Sequence, residues 1–394
     1  MKKSILIVFL LGIITLHATN IYPIMKTCDS FLMKRQYLSA FKVLHRFDSL
    51  NNNKEILFKK QEIAMNFFLG QDKFQDFSFM DIQPYQVIEN FRNKTYSGDV
   101  YHIPFHTLYD KFIKLTPQND TLRKQLIEYY FQAYIEYGNE WVLPSKTIFM
   151  NIQREVMYLE SNHKSDAYHY YIMGYILMAS EKTTDAIDFF NKSLELDKKD
   201  GETNFNLGVA YDKLQQSDSA LKYYKTAIIY YKDSVQKADA ARNIGFIYEK
   251  MNDELNAITY LQMSEKLQYA NYYTLRSLLK LYAQTNNVKE REFRIRFFMM
   301  APGNKQIYID LLAIYHHANK LLDLEKYYID NLPNYKQNYL VSGHLQFFLA
   351  ELTKTKDKLR TKAYLDAALQ NYKRVLPAND EHLLFVESII KEYN

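Results

Sequence analysis

Residues 171–200 read YIMGYILMASEKTTDAIDFFNKSLELDKKD. Two small residues, Gly174 and Ala186, stand in this otherwise bulky segment. A mid-helix glycine costs about 1 kcal/mol relative to alanine, and the chain has only 10 glycines in 394 residues, so its place here needs a packing reason. Sliding the segment along the chain supplies one. At a shift of 34 residues Gly174 falls on Gly208, Ala186 on Ala220, Phe190 on Tyr224 and Leu194 on Ile228. A second shift, with residues 235–237 inserted, brings Gly208 onto Gly245, Tyr211 onto Tyr248 and Ala220 onto Ala257. A fixed period of this length marks stacked units, none of which buries its apolar face alone. Each unit reads as a helix, a short turn and a second, antiparallel helix. The small residues let the two backbones cross closely, and Phe190 or Tyr224 is expected to fill the space between one unit and the next.

This pattern resembles the tetratricopeptide repeat. The match is close in three units, residues 167–200, 201–234 and 238–271. They carry Gly174, Ala186 and Phe190; then Gly208, Ala220, Tyr224 and Ala227; then Gly245, Ala257 and Leu261. The family's usual tryptophan near the start of the unit is replaced by Tyr170, Asn204 and Ala241, and its closing proline by Lys198 and Lys232. The resemblance implies an all-α, right-handed α-solenoid of antiparallel helix pairs.

Weaker units follow. Residues 272–305 keep Leu278, Tyr282 and Phe298, with Arg291 at the small position, and close at Pro302 and Gly303. The next unit, about 305–334, has Leu311, Tyr315 and Tyr328 and closes at Pro333; another begins near Lys336 with Gly343. There the charged run KTKDKLR is expected to stretch the loop, leaving AYLDAALQNYKRVL as the second helix before Pro377. The last segment, DEHLLFVESIIKEY, reads as a capping helix with Asp380 as N-cap. Near the other end, Cys28, Phe31, Ala40 and Leu44 repeat the same spacing, which puts Cys28 at a small, buried position.

Residues 55–160 do not keep the period. Helices are expected near 54–69, 84–92, 105–115, 121–137 and 146–160, with Gly70 and Gly138 as C-terminal stops, Pro84 in a first turn, and 93–104 as a loop. This region is either a divergent array or an insertion. The expected organisation is a signal peptide (1–18), a degenerate helix pair (19–54), an irregular helical region (55–160), the core repeat array (161–271), and degenerate units with a capping helix (272–394).

Composition agrees with a packed helical chain. Apolar residues make up 47%, while Gly (10) and Pro (8) are scarce, which favours long helices and few tight turns. The 35 tyrosines and 25 phenylalanines are read chiefly as core. The net charge of +5 is mild and mixed along the chain, with no basic block of the kind that nucleic acid or a membrane surface attracts. The opening MKKSILIVFLLGIITLHATN has two lysines, an apolar run and Leu16-His17-Ala18, the build of a secretory signal peptide cleaved after Ala18 or retained as an anchor. No cysteine marks a lipid anchor there, and no later stretch is apolar enough to span a membrane. The expected location is therefore exported: periplasmic, envelope-associated or secreted. With Cys28 as the single cysteine, no internal disulfide forms.

Chemistry-bearing motifs are absent. The sequence has no phosphate loop, dinucleotide fingerprint, nucleophile elbow or metal-binding HExxH helix. His102 and His106 have chelating spacing, but Pro104 between them opposes a helix. His316 and His317 are adjacent and diverge, and His163 and His169 are expected to be solvated. No catalytic, cofactor or metal site is expected.

What the resemblance does imply is a groove lined by the first helix of each unit. Transferred to this chain, its inner positions are Tyr168, Tyr171 and Tyr175; then Phe205, Asn206, Asp212 and Lys213; then Arg242, Asn243, Phe246, Glu249 and Lys250; then Arg276 and Lys280. Asn206 and Asn243, equivalent in successive units, would donate to and accept from a bound peptide backbone. The tyrosines would add apolar area, and the basic side chains would favour an acidic segment or a terminal carboxylate. Family members that clamp a chaperone's terminal carboxylate do so with a lysine and an asparagine where this chain has Tyr171 and Tyr175, so that activity is not implied. The expected function is a non-enzymatic scaffold or adaptor of the cell envelope, whose partner is another protein or peptide segment. Two alternatives remain: a SusD-like glycan-binding protein, which usually carries a lipid anchor and more tryptophan than Trp141 alone, and an enzyme with its site in 55–160.

Overall fold

The computed structural model describes residues 21–92 and 98–393; the expected signal peptide lies outside them. They form two compact units, one ending at Leu196 and the other beginning at Asp197.

Among the described residues the first unit contains eight α-helices: α1 (Tyr22–Met33), α2 (Tyr37–Phe47), α3 (Lys54–Asn66), α4 (Phe105–Leu115), α5 (Asp120–Tyr137), α6 (Ser145–Ser161), α7 (Ala167–Ala179) and α8 (Thr183–Leu196). They pack as successive pairs, α1 with α2, α3 with α4, α5 with α6 and α7 with α8. The region 55–160 is thus both a divergent array and the site of an insertion: residues 67–104 separate α3 from α4, yet Phe58 still stacks on Tyr109, and the Tyr109 hydroxyl donates to Gln61.

The insertion corrects several expectations. Gly70 does not stop a helix but opens a three-stranded antiparallel sheet, β1 (Gly70–Asp72), β2 (Asp76–Ser78) and β3 (Val100–His102), in that order. Phe77 pairs with Gln71 on one side and Tyr101 on the other. The helix expected near 84–92 shrinks to one 3-10 turn, Ile88–Phe91, and the C-terminal part of the expected 93–104 loop is β3. The cause is tertiary. Lys73 and Phe74 take left-handed backbone angles in the β1–β2 turn, which is uncommon for bulky residues. The turn is pinned from outside: Tyr129 donates to the Phe74 carbonyl and Trp141 to that of Lys73, while the Phe74 ring is buried. The insertion also caps α2, because Asp81 accepts from the Ser39 amide at 3.0 Å and its hydroxyl at 2.6 Å.

The second unit stacks five pairs and a capping helix. The helices are α9 (Gly201–Lys213), α10 (Ser217–Tyr230), α11 (Ser234–Lys250), α12 (Glu254–Leu267), α13 (Tyr272–Gln284), α14 (Glu290–Met300), α15 (Lys305–His317), α16 (Leu321–Asn331), α17 (Tyr339–Thr353), α18 (Lys358–Tyr372) and α19 (Glu381–Glu392). The architecture is the expected all-α, solenoid-like stack of helix pairs. Helix starts follow local chemistry. Asp200, Asp233, Asn271, Asn304, Asn338 and Asp380 each accept from an amide of the first turn. Asp357 does the same for Leu359 and Arg360, so α18 begins inside the charged run expected to be loop.

The tight turns contradict the expectation from scarce glycine. Glu181, Gln215, Asn252, Asn286 and Asn319 hold the left-handed conformation just after α7, α9, α11, α13 and α15. The following amide then closes back on the helix, as Gln216 does on the Tyr211 carbonyl at 2.9 Å and Lys320 on that of Tyr315 at 2.8 Å. Polar residues, three of the five asparagine, stand here in place of glycine, and the short polar side chain of asparagine visits this conformation readily.

The spaced glycines meet large side chains of their own pair, rather than Ala186 or a neighbouring unit. A Cβ on Gly174 would lie 2.6 Å from the Phe190 ring, on Gly208 2.7 Å from Tyr224, on Gly245 2.6 Å from Leu261, and on Gly343 2.5 Å from Tyr372. Phe190 and Tyr224 therefore fill the interior of a pair. Aromatic abundance goes largely into such cores: Tyr224, Tyr282, Tyr308, Tyr315, Tyr328 and Tyr372 are all nearly inaccessible. Cys28 is buried too, and burial raises its thiol pKa to about 12.

Candidate functional site

In the second unit, side chains spaced along α9, α11 and α13 share one face. There the second unit has a concavity of about 380 Å3, lined by Asp212 from α9, by Asn243, Phe246, Glu249 and Lys250 from α11, and by Tyr273, Arg276, Ser277 and Lys280 from α13. Seven of the residues expected from sequence meet here: Asp212, Asn243, Phe246, Glu249, Lys250, Arg276 and Lys280. Tyr273, 62% exposed, joins them. It was missed although it holds the same second position of its helix as Tyr168, which is the signal that identifies it.

The charges of this face are matched across helices. Lys250 meets Asp212 at 3.0 Å, Lys280 meets Glu249 at 2.7 Å, and Arg276 meets Asp310 of α15 at 3.0 Å. Asp310 also accepts from Tyr272, whose hydroxyl is pushed up to about 12, first by burial and then by that carboxylate. The cations thus join successive first helices instead of standing open to an acidic ligand. Arg242 likewise pairs with Asp239 one turn back.

The two equivalent asparagines differ. Asn206 donates to the Glu202 carbonyl of its own helix at 3.0 Å. Asn243 has no hydrogen-bond partner among the described residues and lies half-buried between Phe246 and the ion pairs, so its amide is open to a backbone passing over it. Phe205 packs on Tyr224 and Tyr231 at ring separations of 5.3 and 6.1 Å, and Lys213 is exposed outside the concavity.

Tyr168, Tyr171 and Tyr175 belong to the first unit and form a ladder along α7. Tyr168 stacks on Tyr171 at 6.1 Å, and Tyr175 meets Phe131 of α5 edge-on at 5.2 Å. They cover the α5–α7 junction. Nearby, His169 corrects the expectation of a solvated side chain: it is 2% exposed, with Nδ1 2.6 Å from Asp166. His102 is held by Asp76 at 2.7 Å on the sheet, while His106 packs on Trp141 at 5.3 Å on α4. Among the described residues no group of three or more His, Cys, Asp or Glu is placed to hold a metal ion, and no helix is long and apolar enough to cross a membrane.

Comparison with known proteins matches the tetratricopeptide repeat model at residues 168–200 and again at 189–222. These matches fall on the glycine-spaced pairs. Residues 168–222 of the chain carry tetratricopeptide repeats. Among curated proteins it is 35% identical over 108 residues to the ycf37 protein of Guillardia theta, covering 26% of this chain and 59% of that protein. It is 28% identical over 93 residues to the photosystem I assembly protein Ycf3 of Prochlorococcus marinus, covering 23% of this chain and 52% of that protein. The chain thus spans little more than half the length of these relatives. A solved tetratricopeptide repeat protein from Parabacteroides merdae is 12% identical, with 69% of this chain and 98% of that one covered and a TM-score of 0.42. Tetratricopeptide repeats typically serve as protein-interaction scaffolds.

Proposed function

We propose that this tetratricopeptide repeat protein is a non-enzymatic adaptor of the cell envelope, exported by its N-terminal segment, that holds an extended stretch of a partner protein on the face formed by α9, α11 and α13. The observation that carries this reading is the open amide of Asn243, set in a concavity with the Phe246 and Tyr273 rings. One such amide bond contributes on the order of 1 kcal/mol, and each ring adds apolar area with a defined face. An acidic partner is accommodated only by exchange, its carboxylates replacing Asp212 or Glu249 on Lys250 and Lys280. Recognition therefore rests first on backbone and aromatic contacts. The glycan alternative lacks its aromatic platform, since Trp141 is buried with its indole N–H on the Lys73 carbonyl.

The test is crosslinking and pull-down from native envelopes with Asn243→Ala/Tyr273→Ala beside Asn206→Ala. The double variant is expected to lose the partner with helicity and melting unchanged, while Asn206→Ala retains it. Equal capture by all three chains would remove the site from this face.

A further inference from the structure

A separate cleft in the second unit, of about 460 Å3, lies on the second helices of two successive pairs, α14 and α16, and shares no residue with the face on α9, α11 and α13. Its volume falls within the range of about 300–1,000 Å3 common to small-ligand sites. The sequence departs from the repeat at this place. Arg291 stands at the register position that Ala186, Ala220 and Ala257 hold in the regular units. The structure turns it out of the helix crossing: Phe293 and Phe297 take the buried side of α14, while Arg291 is exposed and lines the cleft.

Charges of both signs are left open here. On the α9–α13 face the lining cations close on carboxylates at 3.0 Å or less. In the cleft Lys326 closes on Asp330 at 3.1 Å, but the side chains of Arg291 and Asp323 have no ion-pair or hydrogen-bond partner among the described residues. Arg294 stands 3.6 Å from Glu290, too far for a hydrogen bond, and Arg294 Nε and Glu290 Oε1 are both buried without a partner, a costly state for each. The Arg294 guanidinium is held over the Tyr327 ring at 4.6 Å. Tyr327, 9% exposed, also lines the cleft, and its hydroxyl has no partner among the described residues. Burial raises the pKa of that hydroxyl, so it stays a donor. Three cations and three carboxylates line the cleft, so its charge is balanced and its field favours neither a bare anion nor a bare cation.

We propose that this cleft binds a small zwitterion with carboxylate and ammonium on one carbon, the chemistry of a free α-amino acid. The carboxylate accepts from Arg291, Arg294 and the Tyr327 hydroxyl, and the ammonium donates to Asp323 and Glu290. An apolar side chain lies on Ile295 and Met299, which line the cleft and are 42% and 56% exposed. A ligand with one charge meets only half of these groups and leaves the other half as they stand.

The experiment is a ligand-observed NMR titration of the full chain with leucine, beside N-acetyl-leucine and leucinamide, each of which keeps one of the two charges. Leucine is expected to bind about tenfold more tightly than either. Arg291→Gln should weaken leucine about tenfold and leave leucinamide unchanged. Asp323→Asn should weaken leucine by a similar factor and leave N-acetyl-leucine unchanged. Both side chains are exposed, so both variants should keep the parent's helicity and melting. Asn243→Ala should bind leucine as the parent does, so failure here and failure of the α9–α13 face are separately visible. No leucine binding, a singly charged compound bound as tightly as leucine, or parent-like affinity in either cleft variant overturns the proposal.

Discussion

Gly208→Ala should destabilise the second unit, although alanine is the better helix former. The new Cβ would sit 2.7, 2.8 and 2.9 Å from three atoms of the Tyr224 ring, against about 3.5–4.0 Å for an unstrained carbon contact. The ring cannot retreat, because Tyr224 is 2% exposed and Phe205 closes on it at 5.3 Å. Overpacking of this kind costs about 1–3 kcal/mol. The helix-propensity gain offsets roughly 1 kcal/mol of that, leaving a net loss of up to about 2 kcal/mol. Gly303→Ala is the control: its Cβ would meet only Leu340, at an ordinary 3.5 Å, so neutrality or a gain of about 0.4–1 kcal/mol is expected. Urea unfolding followed by circular dichroism would read both. In a Tyr224→Ala background the clash is gone, and alanine at 208 should become stabilising, giving a coupling of about 2 kcal/mol. An absent coupling would refute the idea that glycine is placed to receive the ring.

Two further outcomes follow from buried titratable groups. His344, 4% exposed, accepts from the Tyr372 hydroxyl at 2.7 Å and donates to the Gly303 carbonyl at 3.2 Å as the neutral imidazole; burial, the largest cause, lowers its pKa to about 4. The unfolded chain then takes up the proton first, near pH 6.5, so this stability is present above pH 6.5 and is lost as pH falls toward 4, by at most about 3 kcal/mol. His344→Gln should flatten that slope of melting temperature against pH; an unchanged slope would exclude His344 as its source. Glu155, 1% exposed on its side chain, binds Arg123 and Arg154. Glu155→Ala strands the buried Arg123 and should cost about 3–5 kcal/mol, whereas Lys326→Ala, which breaks an exposed pair with Asp330, should cost under about 0.5 kcal/mol by the same denaturation assay.

Much of the helical framework was legible because its signals are local. Asp200, Asn271 and Asp380 mark helix starts by themselves, and the spacing of Gly174, Gly208 and Gly245 records a crossing repeated in each pair. The face on α9, α11 and α13 was legible as a register of positions, but its electrostatics was not. That Lys250 is matched by Asp212, or Arg276 by Asp310, depends on which helices lie side by side, since these partners are dozens of residues apart. The same limit explains His169, whose neighbours make a polar-looking position a buried one.

The sequence by itself determined the unit of construction: a helix, a tight turn and a second helix, with a glycine opposite a large side chain, because that steric condition involves residues within one period. Only the tertiary structure decided what fills the interval between α3 and α4, and where the open polar groups lie. The β1–β2 turn holds Lys73 and Phe74 in left-handed angles that their own side chains disfavour, and it persists because Tyr129 and Trp141, far along the chain, bond to its carbonyls. Asn206 and Asn243 share a register, yet one amide is bonded to its own helix and the other is left open. Periodicity fixes a residue's place on a helix, while its unmet hydrogen bonds are fixed by the atoms that fold around it.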